Sequence, residues 1–376
     1  MNKISVRNAL LRFVYTKLVK PIFFTQDPEK VHDRAVRTGR VLGRYPFGRS
    51  ITRVLFGYKH PMLEQTIHDV LFPNPIGLAA GFDKNAQLTD ILPSVGFGFA
   101  EVGSVTGEEC SGNEKPRLWR LPKSKSLVVY YGLMNDGADA ISKRLTDKHF
   151  RFPVGISVAK TNSPDTCQLD SGVADYAKAF SAFTEIGDYI TINISCPNVF
   201  GGEPFTHPER LEKLLERLDT ISYEKAVFIK LAADLSDDEL NDILDVAARH
   251  RVHGFVCTNL AKDRNNQMTM QKVKEERIPD KGGMSGKVVA GLATDTIRRV
   301  YTRTRGAYTI IGVGGVFSAE DAYEKIKAGA SLLQLITGMI YMGPQVISEI
   351  NQGLVELLKK DGYKNISEAV GADVTF

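Results

Sequence analysis

Eight short apolar runs constrain this chain more than any other feature. They fall at residues 75–80, 99–105, 154–158, 189–194, 226–231, 254–258, 309–313 and 332–336, mostly bounded by Gly, Pro or polar residues. Amphipathic, helix-like stretches fill many of the intervals. Strands covered on both faces read as continuous apolar runs, and their alternation with helices indicates a parallel sheet. Eight such units predict a closed (β/α)8 barrel, the TIM-barrel architecture. The chain has 376 residues, more than the roughly 250 that a barrel needs. The excess predicts a small N-terminal helical domain over residues 1–60, ahead of a barrel domain over 61–376. The segment 63–72 is expected to form a hairpin across the barrel floor.

Charge separates the same two parts. Residues 1–60 hold 13 Lys/Arg against three acids, whereas the remainder holds 35 Lys/Arg against 41 acids. A basic head on an acidic body suits an anionic partner such as a lipid surface, although a solvated helical face would carry the same charges. The head lacks any nucleic-acid recognition motif. Its first helix is expected over 5–20 and to be interrupted by Pro21. A second starts with Asp27 as N-cap, Pro28 at the first helical position and Glu29 in the first turn. It should run to about Leu42 and stop at Gly43. A third follows Ser50 and ends at Gly57. No apolar run reaches the roughly 20 residues of a membrane span, and no secretory signal is evident. The four cysteines, Cys110, Cys167, Cys196 and Cys257, form no CxxC pair. A zinc ribbon or iron–sulfur site is therefore not expected, and neither is any other metal.

Polar residues gather at the C-terminal ends of the apolar runs: Asp83 and Lys84, then Asn193, Cys196 and Asn198, then Lys230 and Asn259. That end of a barrel carries the active site, which favours an enzyme over a scaffold. Ile311-Gly-Val-Gly-Gly315 and Thr337-Gly338 follow the seventh and eighth runs, where barrels often hold phosphate. Gly282-Gly-Met-Ser-Gly286 adds a third glycine-rich loop. Together they predict a phosphorylated ligand without identifying it.

Several strings together resemble the dihydroorotate dehydrogenases. They are Asn74-Pro-Ile-Gly-Leu-Ala-Ala-Gly-Phe-Asp-Lys84, Gly103-Ser-Val-Thr106, Lys115-Pro-Arg-Leu-Trp-Arg120, Asn193-Ile-Ser-Cys-Pro-Asn198, Thr258-Asn259, Gly282-Gly-Met-Ser-Gly286 and Gly312-Val-Gly-Gly315. The resemblance implies FMN as the phosphorylated ligand. It implies oxidation of dihydroorotate to orotate in pyrimidine biosynthesis: a base takes the C5 proton while hydride passes from C6 to flavin N5. Cys196 occupies the position of the base. Lys84, Asn193, Asn198 and Asn259 match substrate-binding residues. Ala80, Gly81, Lys84, Thr106, Ser157, Asn193, Lys230, Thr258, Ser285, Gly286, Gly314, Gly315, Thr337 and Gly338 match the cofactor site. The loop over 197–208, with Gly201 and Gly202, matches a mobile lid.

The chain also departs from the pattern. Val129 stands where an orotate-binding Asn is expected, Ser157 replaces a flavin-contacting Asn, Leu260 a substrate-side hydroxyl, and Ile336 a tunnel-side Tyr. A cysteine base resembles the soluble classes, which use NAD or fumarate. The N-terminal head, with His32 and Arg120 matching a quinone tunnel, resembles the membrane class. The head favours quinone as acceptor, with residues 1–60 docked peripherally on the cytoplasmic face of a bacterial inner membrane. A soluble acceptor, or a flavoprotein scaffold without turnover, is the alternative.

Overall fold

The computed structural model describes residues 3–376. Its centre is a closed barrel of eight parallel strands: Ile76–Leu78, Phe99–Val105, Val154–Val158, Tyr189–Asn193, Ala226–Lys230, Gly254–Cys257, Thr309–Val313 and Leu332–Leu335. They neighbour one another in chain order, and the eighth closes on the first, with Gln334 opposite Gly77. All eight expected runs are barrel strands. Helices wrap the outside, each turning an apolar stripe inward. Pro208–Asp219 buries Leu211, Leu214, Leu215 and Leu218, spaced at the helical repeat. Asp237–Ala247 begins with a capping box, in which Ser236 and Glu239 satisfy each other's backbone N–H groups.

The floor is closed by the expected hairpin, Gln65–Ile67 paired antiparallel with Val70–Phe72. Ile67, Val70 and Phe72 pack on a layer of Phe99, Tyr189, Phe228, Val256, Ile311 and Leu332 inside the barrel. Full burial of each such side chain contributes about 1.5–3 kcal/mol. Above lies a polar layer. Glu101 accepts hydrogen bonds from Thr191 (3.0 Å) and Gln334 (3.0 Å), all three buried. This layer is the base of the functional cavity.

Over the barrel's C-terminal end, the order Gly283–Gly286, Ser126–Val129, Leu118–Leu121 forms a separate antiparallel sheet. The glycine-rich segment expected as a loop is thus partly a strand. Its partner lies more than 150 residues away, so no local pattern announces the pairing.

The head differs from expectation in three places. Pro21 does not interrupt the first helix, which continues as Lys3–Val14, Tyr15–Val19 and Lys20–Phe24. The middle segment is π-helical, with Lys20 N–H donating to Tyr15 O. The wider turn just before Pro21 accommodates a residue that has no N–H and whose ring would crowd the carbonyl four residues back. The second helix, Pro28–Arg44, is capped by Asp27, whose carboxylate accepts from Lys30 N–H at 2.9 Å. Gly43 is not its stop. It lies inside the helix, where a Cβ would come within 3.3 Å of Asp90 and Ile91. The third helix starts earlier than Ser50, spanning Pro46–Phe56 and ending at Gly57.

The head is fastened to the barrel. Buried Glu29 pairs with buried Arg117 at 2.8 Å, and Lys115 joins from the surface at 3.2 Å. Arg7 donates to Val54 O, Gly57 O and Ser348 Oγ, tying the first helix both to the end of the third and to the last long helix, Val346–Asp361.

Candidate active site

A cavity of about 670 Å³ extends from between the head helices to the C-terminal mouth of the barrel. Its outer part is greasy, with Val19, Phe23, Val31, Ala35, Leu42 and Phe56 among its lining. His32 and Arg120 lie along it. Arg120 donates to Gln26 O at 2.7 Å, with its guanidinium 4.7 Å from the Phe24 ring centre. His32 Nε2 lies 2.8 Å from Phe82 O, which requires the proton on Nε2. Burial, reinforced by the nearby Lys84 charge, pushes the His32 pKa down to about 4. The ring is therefore neutral at pH 7.

The inner part holds the polar residues. The first strand leads through Ala80 and Gly81 to Lys84, 8% exposed, whose Nζ has no hydrogen-bond partner among the described residues. The ammonium sits 4.0 Å from the centre of the Tyr131 ring. Burial lowers the Lys84 pKa to about 8, against the opposing pull of Asp33 and Glu29. Lys230, at the end of the fifth strand, is also buried, and burial lowers its pKa while Glu101 pulls it back.

Three amides are held in place before any ligand arrives. Asn193 donates to Ser104 Oγ at 2.8 Å and accepts from Ser195. Asn259 donates to Ser195 O at 2.6 Å, and Asn198 to Val129 O at 2.9 Å. Cys196 stands among them at the cavity wall. It keeps a partial opening to the cavity, but the protein around it pushes the thiol pKa up to about 11, with Lys230 and Lys160 pulling the other way. The following loop is anchored at Phe200: buried Lys160 donates to Phe200 O at 2.9 Å, and Phe200 N–H donates to Asn162 Oδ1 at 2.8 Å. Gly201 and Gly202 both adopt positive φ there.

The far wall is a glycine cradle. Gly286, Gly314, Gly315, Thr337 and Gly338 line it, with Ser285 Oγ 2.9 Å from Thr337 Oγ1. Gly314 and Gly315 have φ of +126° and +72° and lie on the start of the helix Ala290–Arg303. A Cβ on Gly315 would stand 2.3 Å from Ala290 Cβ. Only glycine accepts that backbone and that proximity.

Of the residues singled out from the sequence, Thr258 also lines this cavity, but Thr106 and Ser157 do not. Thr106 is buried behind the second strand, donating to Glu108 O and accepting from Asn135. The strand register shifts between Val102 and Val105, and Ser104 rather than Thr106 meets the cavity. Ser157 reaches it only through Ser104, at 2.7 Å. Sequence reasoning missed Ser104, and also Gln334 and the cation–ring pair of Lys84 with Tyr131. Val129 and Leu260 line the same wall as the amides, presenting methyl groups beside polar ones.

Comparison with known proteins agrees with this arrangement. The family model "Dihydroorotate dehydrogenase" matches residues 62–358. A dihydroorotate dehydrogenase (quinone) of Gloeobacter violaceus is 37% identical over 356 residues, 94% of this chain and 98% of that protein. One of Haloarcula marismortui is 41% identical over 303 residues, 81% and 83% of the two chains. The ligand-free DHODH structure of Eimeria tenella superposes with a TM-score of 0.82 at 28% identity, covering 92% of this chain and 99% of that one. With its (β/α)8 barrel, its thiol–amide–lysine cluster and matches over nearly its whole length, this chain belongs to the dihydroorotate dehydrogenase family of oxidoreductases.

Proposed function

We propose that the protein oxidises dihydroorotate to orotate and delivers the electron pair to a quinone, the acceptor named for its relatives from Gloeobacter violaceus and Haloarcula marismortui. The observation that carries this reading is the single cavity joining the greasy head to the thiol–amide cluster. A flat, apolar acceptor enters from the head side, and a polar pyrimidine occupies the barrel side.

The chain's residues fit FMN between the two. The cradle of Gly286, Gly314, Gly315, Thr337 and Gly338, with Ser285, offers backbone N–H groups and hydroxyls to a phosphate. Ala80, Gly81 and Thr258 leave room for the ring system. Lys84 and Lys230 are buried cations beside it, suited to negative charge developing on a reduced ring. Bound FMN would supply the hydride acceptor. The chain supplies the rest. Lys84, an orphaned ammonium, faces the substrate carboxylate. Asn193, Asn198 and Asn259 match the alternating donors and acceptors of the pyrimidine edge. Cys196 Sγ takes the C5 proton. His32 and Arg120 line the quinone passage, with the neutral imidazole free of a charge that would repel an apolar ligand.

Residues 1–60 act as the docking module. No helix among the described residues is long and apolar enough to cross a membrane. The first helix instead exposes Val6, Leu10, Phe13, Leu18 and Ile22, and the third exposes Phe47 and Val54. Several of the 13 basic residues of this segment remain for anionic lipid, each contributing about 1 kcal/mol near its surface, which suits the head to peripheral attachment on the cytoplasmic leaflet. The test is dihydroorotate oxidation by the flavin-loaded protein with quinone, NAD and fumarate in parallel. Turnover with quinone is expected; turnover with NAD or fumarate alone would overturn the acceptor assignment and leave the head without this role.

A further inference from the structure

A buried cation lies directly behind the glycine cradle and outside the cavity. Lys325, on the helix Ala319–Lys327 that follows the seventh strand, is 1% exposed. Its Nζ donates to Ala290 O at 2.9 Å and to Thr294 Oγ1 at 2.6 Å. Both partners are neutral. No carboxylate among the described residues forms an ion pair with it; the nearby Asp321 is engaged by Lys287 at 2.6 Å. Sequestering an ammonium with only neutral partners is costly. Glu324 and Asp321 favour the charged form from nearby without pairing with it, so its field is also available to an anion on the cradle side.

The geometry names that anion's place. Ala290, which Lys325 holds by its carbonyl, is the residue on which Gly315 rests: a Cβ there would meet Ala290 Cβ, Cα and N at 2.3, 2.5 and 3.0 Å. One residue therefore separates the ammonium from the cradle. Charges interact more strongly across protein than across water.

We propose that Lys325 is a positioning residue for the phosphate end of the flavin: it fixes the first turn of Ala290–Arg303 against Gly314–Gly315 and adds positive potential to a phosphomonoester seated in the cradle. The proposal rests on the reading of that cradle as the FMN phosphate site. It is specific for the phosphate, because the field falls off with distance toward the rest of the flavin.

The experiment compares FMN with riboflavin, which differ only in the phosphate. Protein stripped of flavin is titrated with each, following flavin fluorescence, for the unaltered chain, Lys325→Met, Lys325→Gln and Lys325→Arg. Lys325→Met should bind FMN about tenfold more weakly, with riboflavin affinity unchanged. Lys325→Arg should retain most of the preference for FMN. Lys325→Gln keeps an N–H donor without the charge, and carries the test if Lys325→Met does not fold. Equal weakening for both flavins would make Lys325 a packing residue and overturn the proposal, as would no weakening of either. If the unaltered chain itself binds FMN no better than riboflavin, the phosphate-site reading fails instead.

Discussion

The thiol of Cys196 should give the oxidation of dihydroorotate a steep pH dependence. Burial raises its pKa to about 11, so at pH 7 roughly one molecule in 10⁴ carries the thiolate, and at pH 9 roughly one in 10². If the thiolate is the base, flavin reduction at saturating substrate should rise about tenfold per pH unit across this range. Lys84 acts in the opposite direction on binding. Its pKa is lowered to about 8, so above that pH its charge, and its attraction for the substrate carboxylate, decline. The two effects separate in stopped-flow measurements of flavin bleaching at varied substrate concentration. The limiting rate should climb with pH, and the concentration for half-maximal rate should climb above about pH 8. Cys196→Ala should cut the limiting rate by about 10²–10⁴-fold and flatten its profile while leaving flavin bound. A limiting rate that plateaus below pH 8, or survives in Cys196→Ala, would refute the assignment of the base.

Two further predictions concern the head and the substrate wall. Glu29→Gln leaves Arg117 buried without its carboxylate partner, and should destabilise the chain toward urea by about 3–5 kcal/mol; a loss under 1 kcal/mol would show that the pair does not fasten the head. Burial pushes the Glu29 pKa up, but Arg117 and Lys115 outweigh it and hold the pKa below its ordinary value. The stabilisation is then complete above about pH 4.3, the unfolded-state value, and is lost as pH falls through the lower folded-state pKa. Val129→Asn places an amide beside Asn198 on the cavity wall, and should tighten dihydroorotate binding by about 1 kcal/mol, read as a lower KM; an unchanged or higher KM would mean that the apolar wall is already matched to the ligand.

The barrel was legible because its strands are buried on both faces. Each therefore shows as a mainly apolar run, and the eight runs observed are the eight expected. The Asp27–Pro28 helix start was legible because capping is local. So were the polar strand ends and the glycine cradle, since a backbone that must approach a ligand selects residue types over a few adjacent positions. What the tertiary structure alone decided depends on groups far apart in the chain. The pairing of Ser126–Val129 with Gly283–Gly286 joins distant segments with no shared local signal. Strand alternation places Ser104 and Thr106 on one face, but a register shift against the neighbouring strand turns only Ser104 to the cavity. A π-helical turn carried the first helix through Pro21, and contact with Asp90 and Ile91 gave Gly43 a packing role. The charges were settled in the same way. Lys84 is marked in the sequence by its place after the first strand, whereas Lys325 reads like any other lysine; only the folded chain, by removing their water and leaving neither with an ion-pair partner among the described residues, makes both of them cations waiting for an anion.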